Sequence, residues 1–80
     1  MSSDIDKEIE NLKADLNNLK LKLSECRKNG SDTKIAELKL MNVPFKIKLV
    51  EATQSYKDID MVKKMLEDVK RELSGIIPNN

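Results

Sequence analysis

One run of apolar residues constrains this chain more than any other. Ile5, Ile9, Leu12, Leu16, Leu19, Leu23 and Cys26 follow one another at alternating steps of four and three. On a helix these side chains line one face as an unbroken heptad seam, with Ile9, Leu16 and Leu23 at a and Ile5, Leu12, Leu19 and Cys26 at d. A strand would divide them between both faces of a sheet. The flanking residues agree. Asp4, Asp6, Glu8 and Glu10 load the first turns while Arg27 and Lys28 load the last, each sign at the dipole end that favours it. Ser3-x-x-Asp6 approximates a capping box, and Asn29-Gly30 offers a glycine to stop the helix in the left-handed conformation. Leu21 stands at f, outside the seam.

A second amphipathic pattern closes the chain. Ile59, Val62, Leu66, Val69 and Leu73 form one helical stripe, widened by Met65. Ser55-x-x-Asp58 reads as a capping box before it. Asp60/Lys64 and Glu67/Arg71 stand at the i,i+4 spacing that lets acid and base pair along a helix. Gly75 is expected to end this helix, with Ile76 and Ile77 folding back on its last turn and Pro78 forbidding continuation. Residues 75–80 are read as a short tail.

The middle stretch, Glu37 to Val50, reads two ways. Leucine and lysine alternate, then phenylalanine and isoleucine alternate with lysine across Pro44, as in a β-hairpin over residues 37–50. Against the hairpin, the Met41–Pro44 turn lacks a glycine or Asn-Gly pair, and leucine and lysine favour helix. The same Leu-Lys alternation occurs at Leu19 to Leu23, inside the heptad seam. As a helix the stretch carries two apolar stripes. Ala36, Leu40, Val43, Ile47 and Val50 lie on one, and Ile35, Leu38, Met41, Phe45, Leu49 and Ala52 on the other. Two stripes imply two neighbours. Pro44 removes one backbone hydrogen bond and bends or splits the helix, with Asn42 or Val43 capping the second part and Ser31 or Asp32 capping the first.

The expected fold is therefore all-α: one domain over residues 1–80, arranged as an antiparallel three-helix bundle. Its helices span about 4–29, 32–54 (broken or kinked at Pro44) and 56–74, with turns at 29–32 and about 54–57. The alternative is a helical hairpin with a long second arm, because the stretch from Glu51 to Asp58 holds neither glycine nor proline. Eighty residues bury only a thin core, so a partner or a second copy would add stability.

Chemistry is thinly represented. There is no histidine, and two glycines cannot build a phosphate-cradling loop. Cys26 sits in the seam with no histidine to activate it, and a lone cysteine excludes both an internal disulfide and a cysteine-rich metal site. Carboxylates occupy helix starts and surface spacings, not a desolvated pair with divergent pKa values. An all-α enzyme gripping a dianionic substrate would need more guanidinium than Arg27 and Arg71 supply. No catalytic residue, cofactor, metal or small-molecule substrate is expected.

Charge is nearly balanced overall at +1 but unevenly placed: −2 over residues 1–26, +4 over 27–48 and −1 over 49–80. The basic belt consists of Arg27, Lys28, Lys34, Lys39, Lys46 and Lys48 against Asp32 and Glu37. Such a belt is most simply a solvated face; nucleic-acid binding through residues 27–48 is the alternative. No apolar run approaches the ~20 residues of a spanning helix. The acidic, polar start is unlike a signal or transit peptide, and Asn29-Gly30-Ser31 then reads as a turn rather than a glycosylation site. A cytoplasmic setting is expected.

What remains is interaction: a coiled-coil adaptor, assembly subunit or small chaperone-like protein that buries apolar side chains against a partner helix or a second copy. The expected contact residues are Ile9, Leu12, Leu16, Leu19, Leu21 and Leu23, supported by Phe45 and Ile47. The flanking positions Asp6, Lys13, Lys20 and Arg27 at e and Glu8, Asp15 and Lys22 at g would select the partner.

Overall fold

The structure, a computed structural model, describes residues 4–76. Four helical segments follow in order: α1 (Asp4–Lys28), α2 (Lys34–Met41), α3 (Val43–Thr53) and α4 (Tyr56–Ile76). Among the described residues there is no strand, so the middle stretch is helical and the hairpin is excluded. The molecule is a rod of 47 × 19 × 15 Å.

Each junction has a local cause. After α1, Gly30 takes φ +84°, the Ser31 N–H donates to the Cys26 carbonyl at 3.0 Å, and the Gly30 N–H donates to that of Arg27 at 3.0 Å. These are the two bonds of a Schellman stop, which satisfies carbonyls that a helix end leaves open. Thr33 is the N-cap residue of α2, one position later than the sequence suggests; Asp32 still contributes, its Oδ1 accepting from the Lys34 N–H at 3.2 Å. The Ser3-x-x-Asp6 pattern begins outside the described residues.

The proline break is narrow. Asn42 alone separates α2 from α3, and its φ −82° and ψ −15° remain helical. Pro44 occupies the first turn of α3, where a missing N–H costs least. The apolar register therefore runs through the break without rotating.

Between α3 and α4 the chain turns at Gln54, which is left-handed at φ 54° and ψ 38°, its N–H donating to the Val50 carbonyl at 2.7 Å. The long-second-arm alternative thus fails at Gln54. Asp58 accepts from the Thr53 hydroxyl at 2.8 Å, tying the two sides of this turn together. At the far end, Gly75 does not stop α4, which continues to Ile76. Nothing within 4 Å would meet a Cβ at Gly75. The expected folding back of Ile77 lies outside the described residues.

Ion pairs give the direction of each segment. Arg27 near the end of α1 meets Glu37 early in α2, and Lys13 earlier in α1 meets Glu51 late in α3. The chain thus returns along α1 through α2 and α3. Glu8 with Lys63 and Asp15 with Lys70 then advance together, so α4 runs in the direction of α1. One apolar cluster fills the space between: Ile9, Leu12, Leu16, Leu19, Leu23 and Cys26 from α1, Ala36 and Leu40 from α2, Val43, Ile47 and Val50 from α3, and Ile59, Val62, Leu66, Val69 and Leu73 from α4. Ile5 and Met65 close its edges.

The middle helix departs from expectation in one respect. Both α1 and α4 pack on the same stripe, Ala36 to Val50, and they also pack on each other. Three helices in a triangle give each helix one inward face, so the second stripe faces out.

Candidate partner-binding face

Of the eight residues expected at a contact surface, the fold places Ile9, Leu12, Leu16, Leu19, Leu23 and Ile47 in its own core. Within the folded chain they pack in one cluster with the apolar side chains of α2, α3 and α4, and an outside helix would reach them only by displacing one of those helices. Leu21 and Phe45 are exposed, but they lie on different helices and are not brought together into one site. Leu21 borders a shallow groove with Asp15, Asn18, Lys22 and Lys70 on the α1–α4 side.

At least four of the seven flanking charges of the α1 seam are likewise used internally. At e, Lys13 pairs with Glu51 at 2.8 Å and Arg27 pairs with Glu37. At g, Glu8 pairs with Lys63 at 2.9 Å and Asp15 approaches Lys70 at 3.9 Å. One side of α1 thus addresses α2–α3 and the other α4, the sorting that e and g charges perform in a coiled coil. Asp60/Lys64 and Glu67/Arg71 do not close within 4 Å; the α4 charges that pair do so across helices.

These contacts shift titrations in the direction of the ion pair. The Glu51 carboxylate, accepting from Lys13, raises the lysine pKa, and Glu8 does the same for Lys63. Lys39 is raised by Glu72 and Asp68, which accept from its Nζ at 3.0 and 3.2 Å. Glu37 is lowered, first by the Arg27 guanidinium and then by the Thr33 hydroxyl, which also donates to it. Thr33 is the buried polar residue of the α1–α2 turn, so this Arg27–Glu37–Thr33 clamp fixes that corner.

Against this internally satisfied framework one surface stands out. Ile35, Leu38, Met41 and Phe45 are 57 to 69 % exposed, and Leu49 is 40 % exposed. All lie on α2–α3, opposite the buried stripe. Together they present on the order of 600 Å² of exposed surface, at the upper end for a patch on a monomer. Sequence periodicity groups these residues on one stripe and implies a neighbour for it, without saying whether that neighbour lies inside the chain. The number of faces a three-helix triangle can cover was the missing constraint.

The basic belt is partly neutralised: Arg27 is held by Glu37, and Lys39 by Asp68 and Glu72. Among the described residues no group of three histidine, cysteine, aspartate or glutamate side chains could hold a metal ion, and no helix is long and apolar enough to cross a membrane. Cys26 is a buried free thiol. No protein-family model, curated protein or solved structure matches this chain.

Proposed function

We propose that this protein is a non-catalytic helical interaction module, an adaptor or assembly subunit, that docks a protein partner on the outer face of α2–α3. The observation carrying this reading is the row Ile35, Leu38, Met41, Phe45 and Leu49, large apolar side chains left in water on one face while the opposite face completes the core. Leaving that much apolar surface exposed works against solubility, and burial by a partner removes the cost. The heptad seam of α1, by contrast, serves as the scaffold that holds this face rigid.

A non-catalytic role fits the distribution of titratable groups, which form surface ion pairs between helices. A cytoplasmic setting fits a buried thiol that stays reduced. Nucleic-acid binding through residues 27–48 is the weaker alternative, because Arg27 and Lys39 already have carboxylate partners. It predicts salt-sensitive binding that Lys46→Glu with Lys48→Glu abolishes.

The test is a backbone-amide NMR titration of the full chain with amphipathic helical peptides. Shifts concentrated at Ile35, Leu38, Phe45 and Leu49, lost in Phe45→Ser/Leu49→Ser, are the expected result. Because both positions are exposed, that double variant should keep wild-type helicity. Shifts elsewhere, or none with any peptide, overturn the assignment.

A further inference from the structure

Counted along α2–α3, Ile35, Leu38, Asn42, Phe45, Leu49 and Ala52 succeed one another at alternating steps of three and four, and all six are exposed. The helical backbone at Asn42 carries this register across the break. The outer face is thus a second heptad seam, with Ile35, Asn42 and Leu49 at a and Leu38, Phe45 and Ala52 at d. Its flanking positions are Lys34, Met41 and Lys48 at g and Lys39, Lys46 and Thr53 at e. Every charged residue among them is a lysine. Lys39 turns toward Asp68 and Glu72, whereas the ammonium groups of Lys34, Lys46 and Lys48 have no carboxylate within 4 Å among the described residues. The segment's glutamates, Glu37 and Glu51, sit at c and are engaged by α1.

We propose that this outer seam takes one amphipathic helix of a different protein, one that carries acidic residues on both sides of its apolar stripe. The inference rests on the docking reading above and adds the partner's chemistry. A seam from Ile35 to Ala52 is about 25 Å long, which calls for a partner helix of roughly 17 residues. Its exposed surface, with the lysine stems added, approaches the ~800 Å² per side of an ordinary interface.

Charge argues against a second copy of the chain. Parallel pairing sets g against e, and antiparallel pairing sets e against e and g against g. In register, a parallel pair sets Lys34 against Lys39 and an antiparallel pair sets Lys46 against Lys46 and Lys34 against Lys48, whereas a glutamate-flanked helix meets all three free ammonium groups. An anionic bilayer satisfies the lysines too, but Asn42 in the middle of the stripe and the one-knob width of the seam suit a helix groove better than a lipid surface.

The experiment uses the full chain and three synthetic helices with identical leucine a and d positions. They carry glutamate, glutamine or lysine at every e and g. Binding is followed by anisotropy and amide NMR at low and high salt, alongside phosphatidylserine vesicles. Three exposed ion pairs predict that the glutamate helix binds about tenfold more tightly than the glutamine helix at low salt, and that added salt erodes the difference. Lys34→Glu/Lys46→Glu/Lys48→Glu should transfer the preference to the lysine helix.

Equal binding of all three helices at Ile35 to Leu49 overturns the acidic partner while leaving the docking face in place. No binding by any helix overturns both. Binding to vesicles alone assigns the face to lipid, and self-association at low salt without peptide assigns it to a second copy; either result overturns the proposal.

Discussion

Gln54 holds a left-handed backbone that costs a residue with a Cβ about 1–2 kcal/mol. Replacing it with glycine removes that strain but returns about 0.5–1 kcal/mol as extra freedom of the unfolded chain. It also gives up an exposed bond from the Gln54 side chain to the Glu51 carbonyl. Gln54→Gly is therefore expected to raise stability by about 0.5 kcal/mol, or ~2–4 °C in Tm for a domain of this size. A lowered Tm would show that the turn is held by the glutamine side chain instead. Gly30 is the mirror case. Its φ is +84°, and a Cβ there meets nothing within 4 Å, so the penalty of Gly30→Ala is purely conformational. About 1 kcal/mol should be lost, with circular dichroism at 25 °C unchanged. Asn29-Gly30 was legible in the sequence because glycine advertises a left-handed stop. Gln54 was not, since nothing in "EATQSYKD" marks which residue will accept the strain.

At the scale of elements, α2–α3 holds two apolar stripes that sequence alone cannot rank. The period fixes which residues share a face, and hydrophobicity is similar on both. What decides between them is the neighbour: α1 and α4 meet each other, so only Ala36 to Val50 is enclosed. Leu38 and Leu40 make the comparison direct, being the same residue two positions apart with 61 % and 5 % exposure. Leu40→Ala should cost about 2–4 kcal/mol by urea unfolding, and Leu38→Ala under about 0.5. Equal losses at both would mean that the outer stripe is buried in solution. The α1 seam and the α4 stripe were readable because each has a single apolar face. The candidate docking face was hidden by the opposite circumstance.

Across the whole molecule, ion pairs join α1 to each of the other helices and α2 to α4: Arg27–Glu37 from α1 to α2, Lys13–Glu51 from α1 to α3, Glu8–Lys63 from α1 to α4, and Lys39 with Asp68 and Glu72 from α2 to α4. All keep part of their charge in water, so each adds little by itself. Glu37 differs because two donors converge on one carboxylate, Arg27 on one oxygen and the Thr33 hydroxyl on the other. Its pKa in the folded chain is lowered, so on acidification the unfolded chain takes up the proton first. The contribution of Glu37 is complete above the ordinary carboxylate value. It declines as pH falls through the window between that value and the lowered one. Stability should accordingly be flat near neutrality and fall on the acid side, and in Glu37→Gln the acid limb should be shallower while the neutral plateau drops. Urea titrations from pH 7 down to about 3 measure both. An acid limb unchanged by Glu37→Gln would leave the Arg27–Glu37–Thr33 corner without a part in the acid sensitivity.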